Sequence, residues 1–88
     1  MFFSRIKIEV TKDLYNVILE EINQYIEITD GEEKTETETL LKHISHYSKF
    51  CTDKDGTEFA VIRLYPYEAS DLIFIMSLIS SFNFDADD

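Results

Sequence analysis

A nearly continuous apolar run, Thr57–Tyr65, constrains the fold of this chain more than any other segment. Such runs are typical of a strand buried on both faces, and Pro66 ends this one because proline cannot donate to a sheet. The turn before the run, Asp53–Gly56, contains an Asp-Gly pair, which is a hairpin signal. The preceding segment, Ser45–Thr52, is therefore predicted to be the partner strand. We expect Thr57–Tyr65 to be the central strand of a sheet.

The segments outside this hairpin add one strand and two helices. Phe3–Val10 alternates apolar and charged residues, as a half-buried strand does. Lys12–Ile26 has apolar residues at helical spacing, and Thr11 precedes it as an N-cap. Asp71–Phe82 is the second helix, capped by Ser70 or by Asp71 itself. The apolar stripe of the first helix consists of Leu14, Val17, Ile18, Ile22, Tyr25 and Ile26.

The order of these elements predicts a small α+β domain, β-α-β-β-α, with an antiparallel or mixed sheet and two helices packed on one face. Residues 1–88 are enough for a single domain of this kind. Thr35–Thr39 alternates threonine with glutamate, which favours extended chain. Leu40–Ile44 fits a helix or a strand equally well. Residues 83–88 are expected to form a mobile acidic tail.

The second helix, Asp71–Phe82, is apolar almost all round, with three serines as its polar edge. A helix of this kind is buried on most sides. Because a small domain offers little protein to bury it, the pattern indicates a homodimer contact. The side chains predicted to form that contact are Leu72, Ile75, Met76, Ile79 and Phe82.

The chain carries 18 acidic and 8 basic residues, a formal net charge of −10. This charge repels phosphates, so the sequence argues against direct binding of nucleic acid or of an anionic membrane. The longest apolar stretch, Leu72–Phe82, is shorter than the roughly 20 residues of a membrane span. A single cysteine, Cys51, excludes an intrachain disulfide and indicates a reducing compartment. We therefore expect a cytoplasmic protein.

The acidic residues are concentrated between the two apolar blocks. Asp13, Glu20 and Glu27 recur every seven residues, which places them in one line on the first helix, roughly 10 Å apart. If the Thr-Glu repeat is extended, its two inner glutamates lie on one face about 6.8 Å apart. That distance is of the order of the charge spacing along a nucleic-acid strand. An ordinary solvated surface is the alternative. The residues predicted to meet a basic partner are Asp13, Glu20, Glu27, Asp30, Glu32, Glu33, Glu36, Glu38, Asp85, Asp87 and Asp88.

Few residue combinations in the chain support catalysis or metal binding. Asp53–Glu58 looks like part of a calcium loop, but Cys51 and Ile62 stand at its first and last ligand positions. His43 and His46 with Cys51 lack the spacing of a zinc site. The same residues offer a nucleophile and a base, yet no oxyanion-hole loop accompanies them. We therefore expect no enzyme, no metal and no cofactor.

In size, charge, α+β pattern and lack of an active site, the chain resembles the small acidic proteins that bacteriophages make to disable host DNA-binding proteins. This class, called DNA mimics, includes inhibitors of restriction enzymes, CRISPR nucleases, RNA polymerase and the nucleoid protein HU. The class has no signature sequence, so the resemblance transfers no residue. It implies a decoy on the DNA-binding surface of a basic host protein, with HU as the first expectation. The alternative is an interaction module or dimer that works through Asp71–Phe82.

Overall fold

The computed structural model describes the backbone of residues 4–86 and the side chains of residues 4–81. The three strands form one antiparallel sheet, and the helices pack on it. The predicted α+β class is confirmed, whereas the predicted order lacked one helix. In chain order the elements are strand β1 (Ile6–Thr11), helix α1 (Lys12–Ile28), helix α2 (Gly31–His46), strand β2 (Ser48–Thr52), strand β3 (Glu58–Leu64) and helix α3 (Pro66–Ala86).

Strand β3 is the middle strand of the sheet, because it pairs with both of the others in the order β1-β3-β2. β2 and β3 form the predicted hairpin. In its turn, Oδ1 of Asp53 accepts hydrogen bonds from the backbone N–H groups of Asp55 (2.8 Å) and Thr57 (3.1 Å). Gly56 has φ +84°, a conformation that favours glycine. The turn chemistry therefore sets the hairpin, and the strand order confirms the central position of β3.

Only one face of β3 is covered. Its buried side chains, Ala60, Ile62 and Leu64, alternate with the exposed Arg63 and the half-buried Val61. The helices pack on the Ile62 side and leave the other side open. The prediction of a strand buried on both faces is therefore wrong. The Cα atoms span 41 × 39 × 17 Å, so the molecule is a thin slab of two layers.

Helix α1 begins with the predicted cap. Oγ1 of Thr11 accepts a hydrogen bond from the backbone N–H of Leu14 at 3.1 Å. Ile18 and Ile22 bury the inner side of the helix in the core. Leu14 and Val17 are exposed instead of belonging to the buried stripe. Val17 lies about 140° from Ile22 around the helix, and Leu14 lies about 80° from it, at the margin of the buried side.

The acidic segment forms helix α2, so the extended chain predicted for Thr35–Thr39 is wrong. The hydroxyl of each threonine in this segment donates a hydrogen bond to the backbone carbonyl oxygen four residues earlier. The oxygen–oxygen distances are 3.3 Å for Thr35, 2.7 Å for Thr37 and 3.0 Å for Thr39. These bonds satisfy the hydroxyls within the helix and offset the strand preference of β-branched residues. Glu32 and Glu33 lie in the first turn, where the helix dipole favours them. Leu40–Ile44, which the sequence left open, is part of this helix.

Helix α3 begins at Pro66, well before the predicted start at Asp71. Proline suits the first helical position because its missing N–H would have no partner there. Oε1 of Glu68 accepts a hydrogen bond from the backbone N–H of Tyr65 at 3.0 Å, which caps the helix. Glu68 is only 4% exposed, and its Oε2 pairs with Nδ1 of His43 on α2. None of the described helices is both long enough and apolar enough to cross a membrane.

Candidate functional site

A row of carboxylates runs along the outer side of α1. Asp13, Glu20 and Glu27 are all exposed, while Ile18 and Ile22 are buried on the opposite side. Seven residues are close to two helical turns, so the three carboxylates stand in line about 10 Å apart. We call them the α1 row. The structure keeps the row exposed, and its role in binding stays a prediction.

The carboxylates of α2 do not share one face. Glu36 and Glu38 point about 200° apart on a helix, so the predicted common face with strand spacing is wrong. Glu36 lies on the side that faces α3, and Glu32 precedes it by about one turn. Asp30 is the N-cap residue of α2, although its side chain makes no capping bond. These residues are exposed, but they do not extend the α1 row as one continuous line.

A groove between α2 and α3 gathers acids from two helices. Glu33 and Glu36 line it from α2, and Asp71 lines it from α3. Tyr25 of α1, only 6% exposed, also lines it. Burial raises the pKa of the Tyr25 hydroxyl, and the carboxylates of Glu33 and Asp71 raise it further. Sequence reasoning did not include Asp71 among the candidate acidic residues, because it treats Asp71 as a helix cap. Pro66 is the signal that would have placed Asp71 inside the helix.

Both histidines pack edge-on against Tyr47, but among the described residues only His43 also pairs with a carboxylate. His43 pairs with the buried Glu68, and His46 packs edge-on against Tyr47 with 4.7 Å between ring centroids. Cys51 is exposed on β2. Among the side chains of residues 4–81, no group of three His, Cys, Asp or Glu residues is arranged to hold a metal ion. The geometry therefore gives His43 a structural role, as a clasp between α2 and α3.

The α3 residues predicted to form a dimer contact lie mostly inside the monomer. Leu72, Ile75 and Ile79 are buried in the core, and Met76 packs against it. The prediction that Leu72, Ile75 and Ile79 meet a second copy is therefore wrong, whereas Met76 is half-buried and its part in a contact stays a prediction. The remaining members of both predicted sets, Phe82, Asp85, Asp87 and Asp88, have side chains outside the described residues.

Helix α3 exposes other apolar side chains instead. Ile73 is 67% exposed and Phe74 is 58% exposed. Phe74 also lines the groove between α2 and α3. An apolar contact through α3 would therefore use Ile73 and Phe74.

The uncovered face of the sheet carries half of the chain's cations. Strand register places Lys7 of β1 directly opposite Arg63 of β3, and it places Lys49 of β2 on the same face. Arg5 precedes Lys7 by two residues and so points to the same side. We call these four of the chain's eight basic residues the sheet-face cations. Glu9 is the carboxylate that β1 contributes to this face.

Arg5 is held in place by aromatic rings. Its Cζ lies 3.8 Å from the ring centroid of Tyr47 and 4.3 Å from that of Tyr65, within the range of cation–π attraction. Tyr65 in turn stacks on Tyr67, with 5.9 Å between centroids and 8° between planes. Nε of Arg5 is buried and has no hydrogen-bond acceptor among the described residues. Arg5 and Tyr47 line one shallow depression together with Lys7 and Arg63.

Sequence reasoning missed the sheet-face cations because it reads the basic residues as scattered. Positions 5, 7, 49 and 63 are brought together only by the register of three strands. The available signal was the alternation in Phe3–Val10, which puts Arg5 and Lys7 on its polar side. Comparisons of the chain with protein-family models, curated proteins and solved structures found no match.

Proposed function

We propose that the protein binds a basic DNA-binding protein through the α1 row, and that it competes with DNA for that partner. The α1 row carries the proposal, because its three carboxylates stand exposed at regular spacing on the outside of the helix layer. Lysine and arginine side chains that bind phosphates also pair with carboxylates. A bacterial nucleoid protein such as HU is the first partner to test, because the resemblance to DNA mimics implies one.

The α1 row is presented on a well-packed support. Ile18 and Ile22 on the opposite side of α1 are 3% and 0% exposed. Tyr15 of the same helix packs edge-on against Phe50 of β2, with 5.1 Å between ring centroids. The backbone positions of the row are therefore set before a partner arrives. Binding then has to order only the carboxylate side chains, which lowers its entropic cost.

The mechanism is electrostatic and needs no chemical step. The net charge of −10 attracts a basic partner and raises the rate of encounter. At contact, carboxylates take the places of the phosphates that the partner's cations would neutralise. Salt weakens both the attraction and the contact, because it screens exposed charges. Duplex DNA and this protein should therefore exclude each other from the same partner.

A second candidate function is an apolar contact through α3. The exposure of Ile73 and Phe74 supports it, because large apolar side chains at that exposure are available to a partner. This contact would change little between low and high salt, since burial of apolar surface does not depend on charge screening.

The test measures binding of the purified protein to purified HU, with fluorescent duplex DNA as the competitor. Glu20→Lys with Glu27→Lys reverses two members of the α1 row. The matched control, Glu9→Lys with Asp55→Lys, makes the same formal charge change at exposed positions on β1 and in the hairpin turn. We expect the α1 double variant to bind about a hundredfold more weakly, because like charges at an interface cost several kcal/mol. The affinity of the control variant for HU should fall much less.

Three results would contradict the proposal or redirect it. Equal losses in both double variants would show that only net charge matters and that the α1 row is not a site. Simultaneous binding of DNA and this protein to HU would exclude competition. Loss of binding in Ile73→Ser with Phe74→Ser, but not in the α1 double variant, would favour the apolar contact.

A further inference from the structure

We propose that the open face of the sheet binds the acidic helix face of a second copy of this chain, so that copies stack head to tail. Both charge-complementary surfaces are present on each molecule. The sheet-face cations lie on one side of the slab, and the α1 row lies on the other. This inference goes beyond the proposed function because it assigns a role to the sheet, which that function does not use.

Two of the sheet-face cations, Lys7 and Arg63, form an unfavourable pair in the monomer. Lys7 and Arg63 are directly opposite each other, and like charges in that position destabilise a sheet. Among residues 4–81 the lysine–carboxylate ion pair joins Lys12 to Glu58, and none of the four sheet-face cations has a carboxylate within ion-pair distance, although Glu9 lies on the same face. The buried Nε of Arg5 also lacks an acceptor. An anionic partner would relieve this local repulsion.

The spacing of the two charge sets is compatible. Lys7 lies on one edge strand and Lys49 on the other, so two strand spacings separate them across the sheet. They are also offset by about two residues along the strands, which makes the distance between their Cα atoms roughly 10–12 Å. Neighbouring carboxylates of the α1 row are about 10 Å apart. Two carboxylates of one copy can therefore meet cations on both edges of the sheet of another copy.

A carboxylate surface suits the sheet face better than a nucleic acid does. Single-stranded nucleic acids gain much of their affinity from bases that stack on free aromatic faces. Here the rings of Tyr47 and Tyr65 already cover the guanidinium of Arg5, and Tyr65 also stacks on Tyr67.

The sheet-face cations and the α1 row lie on opposite sides of a slab that is 17 Å thick in its shortest Cα dimension. A contact between two different faces is heterologous, so it does not close with two copies and continues as a series.

The first experiment measures sedimentation velocity of the full chain from about 10 μM to about 1 mM, a range suited to weak association. We expect the average mass to rise with concentration at about 0.1 M salt and to stay that of a monomer at about 1 M, where the Debye length is about 3 Å. A monomer under both conditions would overturn the proposal. Association that persists at high salt would also overturn it, since an apolar surface would then be responsible.

Two variants locate the contact. Arg63→Glu reverses a sheet-face cation, and Lys54→Glu makes the same charge change in the hairpin turn. We expect Arg63→Glu to weaken self-association about tenfold or more, because it places like charges against the α1 row. Lys7→Glu should weaken it as well while keeping the protein folded, since it pairs with Arg63. Equal effects of Arg63→Glu and Lys54→Glu would overturn the assignment to the sheet.

Zero-length carbodiimide cross-linking of mixed ¹⁴N and ¹⁵N chains identifies the paired surfaces. We expect links between differently labelled chains that join Lys7 or Lys49 to carboxylates of α1 or α2. Intermolecular links that come only from Lys34, Lys42 or Lys54 would contradict the stacking of helix face on sheet face.

The last experiment measures binding of a labelled single-stranded oligonucleotide. If it binds wild type and not Arg63→Glu, nucleic acid is the occupant and the assignment to a second copy is wrong.

These outcomes separate the inference from the proposed function. Failure of self-association with intact competition at HU removes only the stacking model. Failure of HU binding with intact, salt-sensitive stacking removes only the decoy model. If both hold, HU should dissociate the stacks, because both partners use the α1 row.

Discussion

The helix face and the open face of the sheet differ in how well their charges suit the structure beneath them. On the helix side, Asp13 lies in the first turn of α1, and Glu32 and Glu33 lie in the first turn of α2. The helix dipole stabilises carboxylates at those positions. On the sheet side, Lys7 and Arg63 face each other across two paired strands, where like charges repel.

This difference changes what each surface implies about function. The first-turn carboxylates Asp13, Glu32 and Glu33 are explained by their own helices, so they indicate a partner only weakly. Glu27 lies in the last turn of α1, where the dipole disfavours a carboxylate, so it does not share that explanation. Opposed cations in a sheet are unfavourable locally and need another explanation, such as an anionic partner. The acidic stretch dominates the sequence, yet the smaller basic cluster is the less expected feature of the structure.

The largest effect should come from breaking the core that supports both faces. Ile62 of β3 is fully buried, and Ile62→Ala should lower the free energy of unfolding by about 3 kcal/mol, through lost burial and the cavity left behind. Chemical denaturation measures this change. Val61→Ala on the open side of the same strand is the control and should cost about 1 kcal/mol or less. Equal losses would mean that the open side is packed as tightly as the helix side.

A smaller effect should follow from opening the clasp within the helix layer alone. Glu68→Ala removes the carboxylate that caps α3 and pairs with His43, and we expect a loss of about 2 kcal/mol. Glu68→Gln should lose less, because its amide oxygen still accepts from the N–H of Tyr65. Hydrogen exchange should rise in α2 and at the start of α3. An equal rise in all three strands would show that the clasp is not local to the helix layer.

Charge reversal on each face should change stability in opposite directions. Lys7→Glu should raise the free energy of unfolding by about 0.5 kcal/mol, because it replaces a repulsive cross-strand pair with an attractive one. Asp13→Lys should lower it by about 0.5 kcal/mol, because a cation is unfavourable at a helix N-terminus. Denaturation at low salt measures both, and Lys54→Glu serves as the control for net charge. Changes of the same sign would remove the contrast between the faces.

The smallest effect concerns Tyr25 and appears only at alkaline pH. Its pKa is raised above the ordinary 10.0, first by burial and then by Glu33 and Asp71. The folded state therefore holds the phenolic proton more tightly than the unfolded state. This contribution to stability is complete below about pH 10 and is lost as pH rises through the higher folded pKa.

Urea unfolding of wild type and Tyr25→Phe between about pH 9 and pH 12 checks this prediction. The stability of wild type should fall more steeply with pH than that of Tyr25→Phe. Tyr67→Phe, at a tyrosine that is 63% exposed, should follow wild type. Parallel curves for wild type and Tyr25→Phe would contradict the raised pKa.

The sequence predicted those parts of the fold that local chemistry determines. The Asp-Gly turn placed the hairpin and the central strand, and Thr11 placed the start of α1. The sequence failed where tertiary context decides. The alternation of threonine with glutamate in α2 resembles a strand. The threonines fit a helix because their hydroxyls donate hydrogen bonds to backbone carbonyl oxygens of that helix, which the sequence pattern does not reveal.

The candidate surfaces were predictable to different degrees. Helical periodicity alone aligned Asp13, Glu20 and Glu27, and the structure retains that row. The sheet-face cations depend on which strands are neighbours and in which register, and neither can be read from spacing along the chain. The apolar run of β3 predicted burial on both faces, because it includes Phe59 and Val61. These two residues instead line the open face of the sheet.

The strand order also determines when this protein can fold. β1 and β2 each pair with β3, and Ile6 pairs with Leu64, which lies 58 residues further along the chain. Until Glu58–Leu64 has left the ribosome, the nascent chain has helical segments but no partner for either strand. Closing so long a loop slows folding relative to an all-helical protein of this size. Synthesis that stops before Glu58 would therefore leave two unpaired strands, and the sheet would form only on completion of β3.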